Sequence, residues 1–516
     1  MKGTVWKRQI ICLCVLAVCA LLVFYNRSSS NTRKLINRIP SISPISQPRK
    51  ATSPPHALFI PDPEILQEMS RDELYSLQQR YMTNLQIRCP RKTVYGGVGK
   101  GWYTCDLYRG DNAQRCDAYL LTDVLSKEGE MFFDEIQVDH GCKKHVILTT
   151  DTESKLTRYL KDVLKQPKED TNYREKYFMA VSTSTHEDFL LDWLLQNKLL
   201  TDVQQLFVTF HGIDAQSSTS AYIHHLSVLK ALYEEGFRSF HYLFNPIYYY
   251  NHSMRMWTTK GRYTLYMMRA LPVSPPIVIP PTADIKRMSL PKLGLLYHSY
   301  MHSSQEHCKD VVRVGQASDG GWNMCNATEY RPSQPCLVYS FGINNDWGFD
   351  DDISTNYGCE VHAFDPSMGF NDHKRSSKIT FHNLGLSDKN GIMNGNWKCM
   401  NLQTIIQSLG HEGRIIDIVK MDIEGSEWPA MDSFIPSGVL KNVRQLYFEF
   451  HGSIGPTAEF RNRMINIGRL YDNGFRLFWG HPNQVQVNLG MYNATGREVT
   501  ACYEEYYVNV KLKRFV

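Results

Sequence analysis

The segment Lys420-Met421-Asp422-Ile423-Glu424-Gly425-Ser426-Glu427-Trp428 sets three carboxylates within six residues, between an apolar run and an amphipathic one. Acids at such a junction are costly to bury unless they are paired or put to use. A carboxylate there can accept a substrate proton, or help hold a divalent cation that acidifies it. Asp422 and Glu424 are the candidates, joined by Glu449 near the end of the run RQLYFEF. Glu427 reads as a helix-start residue, where a negative charge suits the dipole. His451 follows the same run and has the right chemistry for a base near neutral pH. A second set of candidates binds rather than reacts. Phe341-Gly342-Ile343-Asn344-Asn345-Asp346 closes an apolar run. Its glycine lets backbone approach a ligand, and asparagine tolerates a left-handed turn. Asp365 follows about twenty residues later, placed to accept both hydroxyl hydrogens of a ribose. Leu386-Ser387-Asp388 offers an adenine contact or a plain turn.

Every one of these residues follows an apolar run, so the runs must be strands that deliver them to one edge. LVYSFGI, EVHAFD, KITFHNLGLS, IIDIVKMDI, RQLYFEF, FRLFWG and YYVNVKL alternate with amphipathic or polar stretches. That alternation predicts a doubly wound α/β domain with a mostly parallel sheet, whose ligands bind beyond the carboxyl ends of the strands. Asp350-Asp351-Asp352 reads as a solvated acidic run opening a helix.

The chain also repeats itself. Tyr81, Met82, Gln86 and Cys89 recur as Tyr300, Met301, Gln305 and Cys308. Gly101, Trp102, Cys105, Cys116 and Tyr119 recur as Gly321, Trp322, Cys325, Cys336 and Tyr339, and VQQLFVTFHG mirrors VRQLYFEFHG. Order and spacing hold throughout, which indicates tandem duplication of one domain. The first copy has Thr122 for Gly342, Leu148 for Asp365, Ser182 and Ser184 for Asp422 and Glu424, and Thr209 for Glu449. It keeps His211, Glu187 and Trp102, so His451, Glu427 and Trp322 read as structural. The first copy therefore looks stripped of its site.

The segments VYSFGINNDWGFDDDI, GCEVHAFDPSM, ITFHNLGLSD and IVKMDIEGSEWPAM resemble the FkbM-type class I S-adenosylmethionine methyltransferases, and within them the animal methyltransferase-like protein twenty-four family. The resemblance covers about residues 308 to 512 and implies tandem Rossmann-like seven-stranded methyltransferase domains. It implies that Gly342 and Asn344 line the methionine portion of S-adenosyl-L-methionine, Asp365 holds the ribose and Asp388 lies near adenine. Asp422 and Glu424 then face the transferable methyl. The usual acidic-x-Gly-x-Gly-x-Gly loop is reduced here to SFGINND.

Composition narrows the setting. With 516 residues, 42% apolar and 21% charged, the chain can fill two or three cores and is neither disordered nor polytopic. A net charge of +5 without a basic block argues against a nucleic-acid partner. The apolar run Ile10–Tyr25 reads as an uncleaved signal anchor, or a cleaved signal in a secreted form. Of 13 cysteines, Cys12, Cys14 and Cys19 lie in that run and ten follow it. Sequons stand at Asn26, Asn251, Asn326 and Asn493. Together these favour a single-pass type II protein of the Golgi membrane with lumenal domains. The expected layout is a cytoplasmic tail 1–9, the anchor 10–25, a stem 26–68, a degenerate domain 69–287 and a methyltransferase domain 288–516. Each copy is expected to close two disulfides among three possible connectivities, with Cys399 and Cys502 available for another.

The function expected is O-methylation of a hydroxyl on a glycan or other secretory-pathway acceptor. Asp422 or Glu449 would take the proton, or Asp422, Glu424 and Glu449 would hold a divalent cation. The rival is an inactive tandem binding or scaffolding protein, separated by whether S-adenosylmethionine binds at all.

Overall fold

The computed structural model describes residues 60–514 apart from 98–100, 107–115, 150–174, 184–186, 212–216, 252–255, 270–275, 317–319, 453–458, 484–490 and 493–497. The anchor run, most of the stem, Ser184 and the sequons at Asn26 and Asn493 lie outside the described residues. Among those described, no helix is long and apolar enough to cross a membrane. The chain divides into two units, 1–54 with 247–260 and 55–246 with 261–516. The second carries everything below except the far end of one hairpin.

A hairpin of β1 (Lys92–Tyr95) and β2 (Trp102–Cys105) precedes the first sheet. That sheet comprises β3 (Cys116–Thr122), β4 (Lys143–Leu148), β5 (Glu175–Ser182), β6 (Gln205–Phe210), β7 (Phe237–Asn251) and β8 (Met256–Arg269), in the order β4-β3-β5-β6-β8-β7. A second hairpin, β9 (Val311–Val314) and β10 (Trp322–Cys325), leads into β11 (Leu337–Phe341), β12 (Glu360–Phe364), β13 (His373–Lys374) and β14 (Ile379–His382). Next come β15 (Gly385–Leu386), β16 (Gly391–Met393), β17 (Trp397–Met400), β18 (Ile416–Met421), β19 (Val443–His451) and β20 (Phe475–Pro482). Then β21 (Met491–Tyr492), β22 (Glu498–Val499) and β23 (Cys502–Asn509) complete the set. The eight-stranded sheet runs β13-β14-β12-β11-β18-β19-β23-β20, with β23 antiparallel to both neighbours. From β12 to β20 its order matches that of the first sheet from β4 to β7.

The match extends to register and side chains. Thr209 faces Thr264 where β6 meets β8, and Glu449 faces Glu504 where β19 meets β23. Gln205 grips the first hairpin by accepting from Cys105 N at 2.8 Å and donating to Cys105 O at 2.9 Å. Gln445 does the same at Cys325, at 3.0 Å for each bond. A buried amide thus satisfies a strand edge that the sheet cannot reach. Helices 127–140 and 348–357 both end at a left-handed glycine, Gly141 and Gly358, which caps them without a Cβ penalty. The two sheets share one apolar core containing Val208, Tyr263, Val338 and Tyr506. Tyr242 of the first sheet stacks on Trp479 of the second at 4.9 Å and donates to Asn323 at 2.7 Å.

Several expectations need correction. KITFHNLGLS is not one strand: β14 ends at His382, and β15 joins β17 and β16 in a separate small sheet. The last strand starts at Cys502 rather than near Tyr506, because Glu504 and Glu505 are buried despite their charge. Cys399 and Cys502 are not bridged. Cys399 lies in the small sheet, whereas Cys502 opens β23 and donates to Glu449 Oε1 at 3.0 Å. The other eight form sequential pairs: Cys89–Cys105, Cys116–Cys142, Cys308–Cys325 and Cys336–Cys359. Asp350 is not solvated; it is 1% exposed.

Candidate active site

Parallel pairing of β11 with β18 places Phe341 beside Met421, so the residues that follow each strand meet at one edge. Gly342 has φ +71°, and a Cβ there would lie 1.6 Å from the carbonyl oxygen of Asp422. Only glycine fits. Its N–H donates to Phe364 O at 2.9 Å, and Asn344 and Asn345 continue the turn at φ +42° and +61°. Asn344 N–H then donates to Asp365 Oδ2 at 2.8 Å. Asp365 Oδ1 accepts from Ser367 N at 2.8 Å and Ser367 Oγ at 2.6 Å. The 4%-exposed Asp365 thus ties the turn after β11 to the end of β12, using three of about four acceptor positions. A ribose that engaged both oxygens would have to displace a Ser367 donor from Oδ1.

Beneath this turn lies a polar group that the sequence reading overlooked. Lys420 is 5% exposed, donates to Gly342 O at 3.0 Å and stands 5.1 Å over the Trp322 ring. Burial pushes the Asp350 carboxyl up to about 7, while Lys420 draws it back down. In the first sheet Leu120, Phe133 and Ala180 stand at the places of Ser340, Asp350 and Lys420 by strand register and by distance from the helix-ending glycine. That apolar replacement was visible in the repeat and was the available signal.

Around the end of β19 the acids converge on His451. Its Nδ1 is 3.3 Å from Glu427 Oε1, and its Nε2 is 3.5 Å from Glu449 Oε1 and 3.6 Å from Glu424 Oε2. Glu427, fully buried, also accepts from Ile423 N at 2.8 Å and Gly425 N at 3.0 Å, which fixes the DIEGSE loop. Glu424 takes φ +54° and leaves its side chain 75% exposed. Glu449 is 4% exposed and accepts from Asn483 Nδ2 at 2.7 Å as well as from Cys502.

The electrostatics separate these groups. Burial pushes Glu449 up to about 9, with Asp422 and Glu504 adding to the rise. Burial alone would lower His451, but its contact with Glu427 and the charges of Glu449 and Asp422 lift it to about 9. Burial pushes Asp422 up to about 7 against the pull of Lys420 and His451. Asp422 is therefore the member whose charge changes nearest neutrality.

The structure brings Gly342, Asn344 and Asp365 together, and Asp422, Glu424 and Glu449 around His451; the groups meet where Gly342 packs on Asp422. Asp388 lies in the turn between β15 and β16, salt-bridged to Lys389 at 3.7 Å. Gly385 of the preceding strand packs on Pro366. His451, read as structural because His211 matches it, is where these acids meet. His211 Nδ1 likewise lies 2.5 Å from Glu187 Oε1, so the His–Glu pair is a shared frame to which the second sheet adds Asp422 and Glu449. Donor atoms of Asp422, Glu427 and His451, or of Glu449, His451 and Cys502, lie within 4.8 Å of one another. These sets differ from the expected Asp422–Glu424–Glu449, and both contain His451.

Comparison with known proteins covers the same region. Residues 295–493 match the family model of the methyltransferase domain. The chain is homologous to methyltransferase-like protein 24. It is 25% identical over 242 residues to the probable methyltransferase-like protein 24 of Homo sapiens, and 27% identical over 252 residues to that of Rattus norvegicus. These matches span 42% and 43% of this chain, and 64% and 67% of the human and rat proteins. The Haemonchus contortus phosphoethanolamine N-methyltransferase 2, solved with S-adenosyl-L-methionine, aligns at 9% identity over 69% of this chain and 75% of its own. Its TM-score of 0.16 is too low to bear on fold or chemistry.

Proposed function

We propose that the carboxy-terminal unit transfers a methyl group from S-adenosyl-L-methionine to a hydroxyl of a glycan or other secretory-pathway acceptor. The observation that carries the reading is Asp422, a carboxyl tuned to about 7 at the end of β18, against the carbonyl of which Gly342 packs. Gly342 and Asn344 border the methionine portion, Asp365 meets the ribose once Ser367 yields, and Asp388 lies toward the adenine. Holding acceptor oxygen, methyl and sulfur in line supplies about 7 kcal/mol or more of barrier reduction. With S-adenosyl-L-methionine held there, ionised Asp422 would take the hydroxyl proton as the methyl passes to the acceptor oxygen and the carbon–sulfur electrons remain on sulfur. His451, held protonated by Glu427, offsets the charge of the acids. A divalent cation on Asp422, Glu427 and His451 would supply the alternative of acidifying the acceptor.

The shared strand order and the paired glutamines Gln205 and Gln445 support a duplicated domain whose first copy keeps the frame without the acids. We place the protein as a type II membrane protein of the Golgi, with both sheets lumenal. The four sequential disulfides suit that compartment. The test is thermal shift with S-adenosyl-L-methionine, followed by mass spectrometry of glycans from cells carrying the wild type or Asp365→Ala. Binding together with a methyl increment lost in the variant supports the proposal; no thermal shift and unchanged glycans would overturn it.

A further inference from the structure

Away from this crevice, near the amino-terminal end of β12, a second cluster of ligating side chains has no part in the proposed reaction. Glu360, His362 and His411 each bring a donor atom within 4.8 Å of the others. Glu360 Oε1 already lies 3.3 Å from His362 Nε2. A tetrahedral zinc with bonds of about 2.0 Å sets its ligands about 3.3 Å apart, so only His411 has to close in. The far side of each imidazole is occupied. His362 Nδ1 is 2.9 Å from His382 Nε2, and His411 Nδ1 is 2.7 Å from the Tyr339 hydroxyl. Such outer partners fix ring orientation and tautomer in metal sites. His382 is in turn 3.8 Å from Asp372.

The cluster is also accessible. Arg414 takes the other oxygen of Glu360 at 2.9 Å and leaves Oε1 available. The Glu360 side chain is 45% exposed, which opens a path for an ion and for a water as fourth ligand. The first sheet lacks the set. His145 stacks on Tyr119 at 4.8 Å, as His362 neighbours Tyr339, but Lys143 stands in place of Glu360 and a lysine repels a cation.

We propose that Glu360, His362 and His411 bind one zinc ion, with water as the fourth ligand, bracing β12 against the turn that precedes β18. This site is independent of the methyl-transfer reading and of any cation at His451.

Titration of the purified full chain with cobalt, then with zinc, tests it. One equivalent of cobalt is expected to give a tetrahedral d–d absorption without thiolate-to-cobalt charge transfer, and zinc to displace it and raise Tm. Glu360→Lys reproduces the arrangement of the first sheet at an exposed position, and is expected to weaken binding roughly tenfold or more. His411→Gln should do the same, while Cys502→Ser leaves the absorption unchanged. The site is refuted if the wild type shows no tetrahedral band, if the band survives Glu360→Lys in a folded protein, or if it carries the thiolate signature that places cobalt at Cys502.

Discussion

Replacing Asp422 by asparagine should make the protein more stable and, on the proposed mechanism, less active. The carboxyl ionises near 3.8 in an unfolded chain and at about 7 in place, chiefly because burial disfavours its charge. Between those values the folded protein holds a proton that the unfolded chain has released, so Asp422 withdraws stability as pH rises through that window. At about 1.4 kcal/mol per pH unit, the interval amounts to about 4 kcal/mol by pH 8. Relaxation around Lys420 and His451 would trim that toward about 2 kcal/mol. Asparagine keeps the shape and removes the ionisation, so urea denaturation of both proteins from pH 4 to pH 8 should show a gap near zero at pH 4. The gap should widen up to pH 7 and level off above it. Methyl transfer should fall about 10²- to 10⁴-fold at pH 8, where Asp422 is ionised, the usual worth of a positioned base, and the difference should shrink toward pH 4. A constant gap with pH, or a destabilised Asp422→Asn, would refute the account of this carboxyl.

Two other substitutions probe the frame. Gly342→Ala puts a Cβ 1.6 Å from Asp422 O in a left-handed residue, so it should cost more than about 3 kcal/mol in denaturant unfolding and abolish any thermal shift with S-adenosyl-L-methionine. Gln445→Leu removes bonds to Cys325 N, Cys325 O, Tyr330 O and the Tyr447 hydroxyl, and the stranded backbone groups should cost about 3 kcal/mol in the same measurement.

The sequence alone placed the central strands, because parallel strands covered on both faces read as largely apolar runs, as β11, β18 and β19 do despite Asp417, Lys420, Gln445 and Glu449. It also exposed the repeat, since cysteines, glycines and glutamines that hold a frame resist change together. It located Gly342, Asp365, Asp422 and Glu449 at strand ends, where period and polarity switch. What it did not disclose depends on partners distant in the chain. Asp350 looks like a surface acid until Lys420 is seen beneath it, and Cys502 looks available for a bridge until Glu449 is seen to accept from it. His451 looked expendable because its twin survives, yet only the pairing of β19 with β23 and the loop before helix 427–437 surround it with Glu449, Glu427 and Glu424. Periodicity fixes which face a residue takes. The charge it carries is set by burial and by neighbours that only the folded chain assembles.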